Sequence, residues 1–401
     1  MASGRSRLGA TMTAIVVLGA LAGLLAFVVP RLDTAPGMAT GSSTGPGSEL
    51  TASALPSGAA TPSEPLTVSP LPTVSPWKVL ATSDTAGAFW SPDGRWLLVW
   101  DQVTSGTPAQ RHVSLDDAQG NLVRTFQGEN PVWLDTRSFV VFRDGTNYLG
   151  AIDAATLTPI APTFPSGVHS NGQGALAYET SGAFDASAQF VVWTPGGGTT
   201  SPRPGVPVAW SHDGTKLAIW HRTSGPSGPT VSGWLEVLGW PGLRSFATLE
   251  GKPASPFQDQ TLFDPSGRYL YFGYVLDLAS GTTTLVRPST PSDFNAWNQA
   301  SRLVLPSLDD GSASVYDIHG TRQATYPNVG DSATASADGS TIVLWFNSGS
   351  QPIVLLRHGS MRRIDVPGPV QPPIPQLSPD GTGLVVVCAT DRGFEALLLR
   401  P

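Results

Sequence analysis

The sequence predicts an all-β fold, a β-propeller of about eight four-stranded blades, with seven as the alternative count. Three observations carry that expectation. The turn Ser-Pro-Asp-Gly occurs at Ser91-Pro92-Asp93-Gly94 and at Ser378-Pro379-Asp380-Gly381, each followed by an apolar run, Trp96 to Trp100 and Leu384 to Cys388. Relaxed versions fill the space between them: Ser211-His212-Asp213-Gly214 after Trp210, Asp264-Pro265-Ser266-Gly267 after Phe263, and Ser336-Ala337-Asp338-Gly339 after Ala335, with weaker copies beginning at Trp133, His169 and Trp297. Aligned on the residue before the turn, the copies start at 90, 133, 169, 210, 263, 297, 335 and 377, and a period of about 40 residues in an all-β pattern marks propeller blades. The third observation is a second hairpin in several repeats, apolar-Asp, a short turn and a strand, as at Leu276-Asp277 before Thr283 to Val286 and at Tyr316-Asp317 before Gln323 to Tyr326. Two hairpins per repeat make four strands per blade.

The elements before the repeats are of another kind. Arg5 and Arg7 precede an uncharged, mostly apolar stretch from Leu8 to Val29, 22 residues, enough to span about 30 Å of hydrocarbon as a helix. The early arginines put residues 1–7 on the cytoplasmic side and everything after the span outside. An uncleaved signal anchor over 8–29 is therefore expected, with cleavage at Gly37-Met38-Ala39 as the alternative. Residues 30–76 are almost all Pro, Ser, Thr, Gly and Ala, too poor in apolar side chains to build a core, and read as a disordered linker. The propeller occupies 77–401.

Within the first repeat, Gly87 to Trp90 reads as a short inner strand that Pro92 stops, because proline cannot donate to a ladder. Asp93-Gly94 then supply the turn into the strand Trp96 to Trp100. His112 to Asp116 and Leu122 to Phe126 complete the blade, turning at Gln119-Gly120. The large residues before the turns (Trp90, Trp133, Trp210, Phe263, Trp297) are expected to wedge between neighbouring blades, with His169 in that place in the third repeat. The last repeat runs out after three strands, Ile374 to Leu377, Leu384 to Cys388 and Ala396 to Arg400. Trp77 to Ala81 is a strand with no blade of its own, and pairing it with the last blade would close the ring and remove an open edge.

Ser-Pro-Asp-Gly before an apolar strand, followed by apolar-Asp-x-x-Gly, resembles the WD40-like (PD40) propeller repeat of the TolB C-terminal domain and its bacterial relatives, over about residues 77 to 401. The resemblance implies a propeller of six to eight blades, commonly extracytoplasmic and used for protein or small-ligand contacts. The chain departs from TolB in having an anchor and linker where TolB has an α/β domain, so a role in the Tol-Pal system does not carry over. Nor do 77–401 leave room for the hydrolase domain of propeller-bearing peptidases.

The charge balance bears on function. With 23 Lys and Arg against 30 Asp and Glu, the net charge of −7 argues against nucleic acid as a partner. The single cysteine, Cys388, sits in an apolar run and is expected to be a buried hydrophobe rather than a reactive thiol. The six histidines show no metal-binding spacing, so neither a metal nor a cofactor is expected, and Asp309-Asp310-Gly311 is better explained by a hairpin turn than by a calcium loop. Turn Asp, Asn and Ser residues serve nearby backbone amides.

Any site should lie on the face opposite the Ser-Pro-Asp-Gly turns, where the loops after each second strand gather. The candidate ligand-binding residues there are Asp101, Arg143, Glu179, His221, Arg222, Asp309, Asn347, Asp391 and Arg392; no catalytic residue is assigned. The expected function is a non-enzymatic, extracytoplasmic binding module tethered to a bacterial membrane and contacting an envelope protein, a peptide or a glycan. The alternative is a lactonase-like or glycan-cleaving propeller enzyme with a site at the channel mouth. The inner strands Gly87 to Trp90, Val206 to Trp210 and Ser332 to Ala335 lack the carboxylate cluster or metal ligands that such an enzyme uses, which favours binding.

Overall fold

The computed structural model describes residues 77–103, 110–161, 164, 168–180, 187–222, 233–249, 262–286, 295–347, 352–367 and 374–400. The expected anchor over 8–29 and linker over 30–76 lie outside them. Every regular element among the described residues is a strand, and the strands form eight antiparallel sheets, the blades of one propeller. Blade 1 runs outward through Thr85–Trp90, Trp96–Val103, Gln110–Asp117 and Leu122–Gln127. Blade 2 follows with Glu129–Trp133, Ser138–Arg143, Thr146–Ala151 and Thr158–Ile160. In blade 3, His169–Ser170, Leu176–Glu179 and Gln189–Thr194 are joined by two short outer pieces, Gly198–Thr199 and Arg203–Pro204, which both pair with the third strand. Blade 4 contains Val206–Trp210, Lys216–Arg222, Gly233–Gly239 and Arg244–Thr248. Blade 5 has a degenerate inner strand, the single bridge Phe263 to Leu270, ahead of Tyr269–Tyr271, Tyr274–Asp277 and Thr283–Leu285. Blades 6 and 7 are regular: Ala296–Trp297, Leu303–Pro306, Ala313–Tyr316, Arg322–Tyr326, then Ser332–Ala335, Thr341–Trp345, Ile353–Arg357, Ser360–Ile364.

Blade 8 draws on both ends of the propeller. Ile374–Leu377, Leu384–Thr390 and Gly393–Leu399 supply three strands, and Lys78–Ser83 pairs with the third as the fourth. The expected closure is therefore present, with the strand starting one residue later and ending two residues later than Trp77 to Ala81. Trp77 precedes the ladder and buries its ring against the blade 7–8 core, donating its indole N–H to the Asp365 carbonyl at 2.9 Å. Arg400 reinforces the seam between blades 8 and 1. Its Nε reaches the Ala118 carbonyl at 2.8 Å and its guanidinium lies 4.9 Å from the centre of the Trp90 ring.

The recurrent turn explains why this sequence makes these blades. Ser91 Oγ donates to Asp93 Oδ1 (2.7 Å) and accepts from the Trp96 amide (3.0 Å), while the Ser91 carbonyl takes the Gly94 amide (2.9 Å). Ser211, Ser336 and Ser378 repeat the arrangement with Asp213, Asp338 and Asp380 at 2.5–2.6 Å. Gly94 adopts φ +70, and a Cβ there would crowd Pro379 of the preceding blade, so conformation and close approach both call for glycine. In blade 5 Asp264 replaces the serine and is fully buried.

Buried side chains fall into eight apolar clusters, one at each interface between neighbouring blades, so packing is distributed around the ring rather than gathered in a centre. Cys388 belongs to the blade 7–8 cluster, where burial pushes its thiol up to about 11 and leaves it inert at neutral pH, as expected from its apolar run. One carboxylate is anomalous. Asp116, buried in the third strand of blade 1, is pushed up to about 6 by desolvation, which outweighs a hydrogen bond from Ser114 and the charge of Lys78. Its folded pKa lies above its unfolded value, so its contribution favours the fold most below about pH 4. That contribution declines as pH rises to about 6 and is flat above, a span on the order of 3 kcal/mol. Asp116→Asn is expected to flatten stability between pH 4 and 6 and to raise the melting temperature at pH 7.5, as followed by thermal denaturation across pH. An unchanged pH profile would show that Asp116 ionises without cost.

Candidate functional site

Strand order fixes the faces. The inner strand of each blade runs into the Ser-Pro-Asp-Gly-type turn, so the second strand ends on the opposite face, and all nine candidate residues lie there, at the ends of second strands or in the connections that follow. Five of them make their contacts within their own blade. Asp101 Oδ1 lies 3.4 Å from His112 Nδ1, and the Arg143 guanidinium sits 4.2 Å from the Tyr148 ring centre. His221 stacks on Trp234 at 4.0 Å with a 14° interplanar angle, while its Nε2 lies 3.0 Å from Glu236 Oε2. Asn347 accepts the Trp345 indole N–H at 3.0 Å and donates to Ser332 Oγ at 2.5 Å. Arg392 reaches Glu395 at 2.6 Å. All but the last follow from register, since residues opposite or diagonal on adjacent strands face one another, whereas Arg392 lies in the turn three residues before Glu395. Of the rest, Glu179 is buried at the end of its strand, Asp309 and Asp391 are exposed, and Arg222 pairs through its backbone with Gly233. Asp309 to Gly311 form a hairpin turn, with Gly311 at φ +63. The connections at 223–232 and 252–260, and most of 366–375, lie outside the described residues.

The opposite half of the channel wall holds a feature built by the wedge residues. Trp133 sends its indole N–H to the Phe89 carbonyl of blade 1 (2.9 Å) and Trp210 to the His169 carbonyl of blade 3 (2.9 Å). Trp297 reaches Leu262 of blade 5 and Trp90 reaches Gln376 of blade 8, both at 3.3 Å. Each indole thus sits between two inner strands and ties them together, as the aromatic spacing predicts.

The third repeat departs from that expectation by one residue. The Asn171 amide bonds the Ala175 carbonyl as Ser91 bonds Trp96, so Ser170, not His169, occupies the wedge position of blade 3. His169 contributes its carbonyl instead. A hydroxymethyl group cannot fill the space of an indole. Between blades 2 and 3, where the wedge should be, lies a cavity of about 400 Å³ lined by Val132, Trp133, Val168 and Ser170, and by Phe89 and Trp90 of blade 1. Pro92 and Gly172 border it, and a Cβ on Gly172 would come within 3.3 Å of Pro92, so the turns of blades 1 and 3 meet in front of blade 2. Apart from Asn130, Gly172 and the Ser170 hydroxyl, the lining is aromatic, aliphatic or proline.

His212 marks the turn face as well. Its side chain is exposed. Among the described residues, no three His, Cys, Asp or Glu side chains are grouped to hold a metal ion.

No protein family and no curated protein sequence matches this chain. Solved structures share its architecture. Sqt1 from Chaetomium thermophilum, bound to the N-terminus of the ribosomal protein L10, aligns over 80% of this chain and 99% of its own with a TM-score of 0.50 at 12% identity. A second structure of that Sqt1 aligns over 81% and 99% (TM-score 0.47, 11% identity), and a eukaryotic initiation factor over 78% and 84% (0.49, 13%). The fold is a WD40-type propeller of eight blades. At these identities the likeness concerns the fold alone.

Proposed function

We propose that this chain is a non-enzymatic binding module that holds a protein or peptide partner on its propeller, displayed outside the cytoplasm of a bacterial cell by an anchor over 8–29 and a linker over 30–76. The cavity at the missing wedge carries the reading. An apolar, aromatic-walled recess with two polar groups at its edge suits one or two anchor side chains of a partner rather than bond-breaking chemistry. A propeller that holds the N-terminus of another protein, as Sqt1 does, gives the fold a precedent for such a role. The polar residues of the opposite face, His221 and Arg222 foremost, remain the competing surface, and a glycan or another envelope protein the competing partners there.

Capture of partners from an envelope extract separates the two surfaces. Ser170→Trp is expected to fill the cavity with an indole that reaches the Val132 carbonyl as Trp133 reaches Phe89, abolishing capture while leaving the melting temperature equal or higher. The double variant His221→Ala, Arg222→Ala should capture normally. If the double variant alone loses the partner, binding belongs to the opposite face. The topology is checked by carbonate washing: the full chain should stay in the membrane pellet, and external protease should release a fragment beginning within 32–76. A soluble mature chain beginning near Thr40 would remove the anchor.

A further inference from the structure

We propose that the cleft between blades 6 and 7 binds a carboxylate carried on a group the size of one sugar-acid or amino-acid residue. The cleft has a volume of about 320 Å³ and lies on the turn side, away from the cavity of blades 1 to 3. At its interface the wedge position is Ala335, so here too no aromatic ring fills the gap between blades. Its floor is apolar, from Val315, Ala324, Ile342 and Leu356. Its rim is rich in donors: Arg302, Gln299 and Asn298 from the blade 6 turn, Tyr326 from the blade 6 outer strand, and Ser340 and His358 from blade 7.

The charge pattern is what points to an anion. No Asp or Glu lines the cleft, although acidic residues outnumber basic ones by 30 to 23 in the chain. The two nearest carboxylates in sequence are already engaged. Asp338 accepts the Ser336 hydroxyl (2.6 Å) and the Ser340 amide (2.9 Å), and Asp317 accepts the His319 and Thr321 amides (2.9 Å each) and Gln323 Nε2 (2.9 Å). Some arginines elsewhere find carboxylates, as Arg268 does with Asp277, Arg137 with Asp153 and Arg111 with Glu129, while others, such as Arg244 and Arg322, form no ion pair among the described residues. Arg302 forms no ion pair among the described residues. A guanidinium presents a planar fork that matches one carboxylate with two parallel hydrogen bonds, and the amide, hydroxyl and imidazole groups around it supply further donors. One fork without a second lysine or arginine suits a monoanion better than a phosphate, and the apolar floor suits the carbon skeleton behind the charge.

Sugar acids and acidic side chains share that chemistry, so the test uses both. Glucuronate and N-acetylglutamate N-methylamide are titrated into the full chain in detergent by calorimetry, with glucose and N-acetylglutamine N-methylamide as uncharged controls. Saturable binding of at least one acid, with no binding of its control, is the expected result. Arg302→Met should weaken it roughly tenfold or more, and Arg302→Lys should restore only part, since the fork is lost while the charge is kept. Arg302 is exposed, so both variants should melt with the wild type. Preference for glucuronate would assign the site to a sugar acid, preference for the glutamate derivative to an acidic side chain. Absence of binding by both acids, or equal binding by wild type and Arg302→Met, would overturn the proposal. Neither result bears on Ser170, whose cavity lies in other blades.

Discussion

Deleting Lys78–Ser83 should lower the melting temperature by roughly 10 °C or more, or leave the chain aggregated. The strand pairs along its length with Gly393–Leu399, whose Ala396 to Leu399 are buried. Without it those side chains lose one wall, and the backbone N–H and C=O groups of the third strand become an open edge, the usual template for pairing between molecules. The loss extends beyond one blade. Leu80 and Ala81 pack into the blade 8–1 cluster, and Gly120 of blade 1 is close enough to Leu80 and Leu398 that a Cβ there would overlap them. A ring of eight interfaces has no terminal blade to fray, so opening one seam turns a closed structure into a stack with two ends. Thermal denaturation with light scattering reads the effect, and a synthetic peptide of residues 77–84 added in excess should recover part of it. A deletion variant that melts with the wild type would show that the closing strand contributes nothing to the ring.

Asp264→Ala should destabilise the fold by about 3 kcal/mol, among the largest effects of any single polar substitution in this chain. The carboxylate is fully buried and is the hub of the blade 5 turn. Oδ1 accepts the Tyr269 amide at 2.7 Å, and Oδ2 accepts the Ser266 hydroxyl at 2.6 Å and the Ser301 hydroxyl of blade 6 at 2.7 Å. Alanine would leave the buried Tyr269 amide and the half-buried Ser301 hydroxyl without an acceptor, each at a cost of about 1 kcal/mol or more, while the exposed Ser266 hydroxyl can turn to water. Asp264→Ser, which restores the residue found at this place in blades 1, 4, 7 and 8, should recover most of the stability. Denaturant unfolding measures both. By contrast Asp213→Ala, at an exposed position of an ordinary turn, should cost only about 1 kcal/mol. Desolvation raises the Asp213 pKa, but the Ser211 hydroxyl and the Thr215 contacts outweigh it and hold the carboxyl below its usual range. Its contribution is therefore present above about pH 4 and is lost as pH falls further, opposite in sense to that of Asp116.

Much of this protein was legible in the sequence because its turns are local. Ser91, Asp93 and Gly94 close their hydrogen bonds within five residues, so the chemistry that ends one strand and starts the next is written in consecutive letters. The repeat of that local unit gave the all-β class and the blade count of eight, and the three-strand last repeat gave the closure. What sequence could not supply was any contact set by the ring. The register of the third repeat slipped by one because Ser170 in His169-Ser170-Asn171-Gly172 reads as the turn serine, and only the pairing of Asn171 with Ala175 puts Asn171 in that place and Ser170 at the wedge. A missing aromatic in one repeat was visible as a letter. That it leaves a cavity walled by Phe89, Trp90 and Trp133 depends on three blades meeting at one point, residues more than 40 positions apart with no pattern between them. Likewise, His221 and Asp101 read as free polar groups in the sequence, and the register of second against third strands pairs them with Glu236 and His112 within their own blades. Turn chemistry is decided by neighbours along the chain, whereas which polar group meets which, and where space is left, is decided by the packing of one blade on the next.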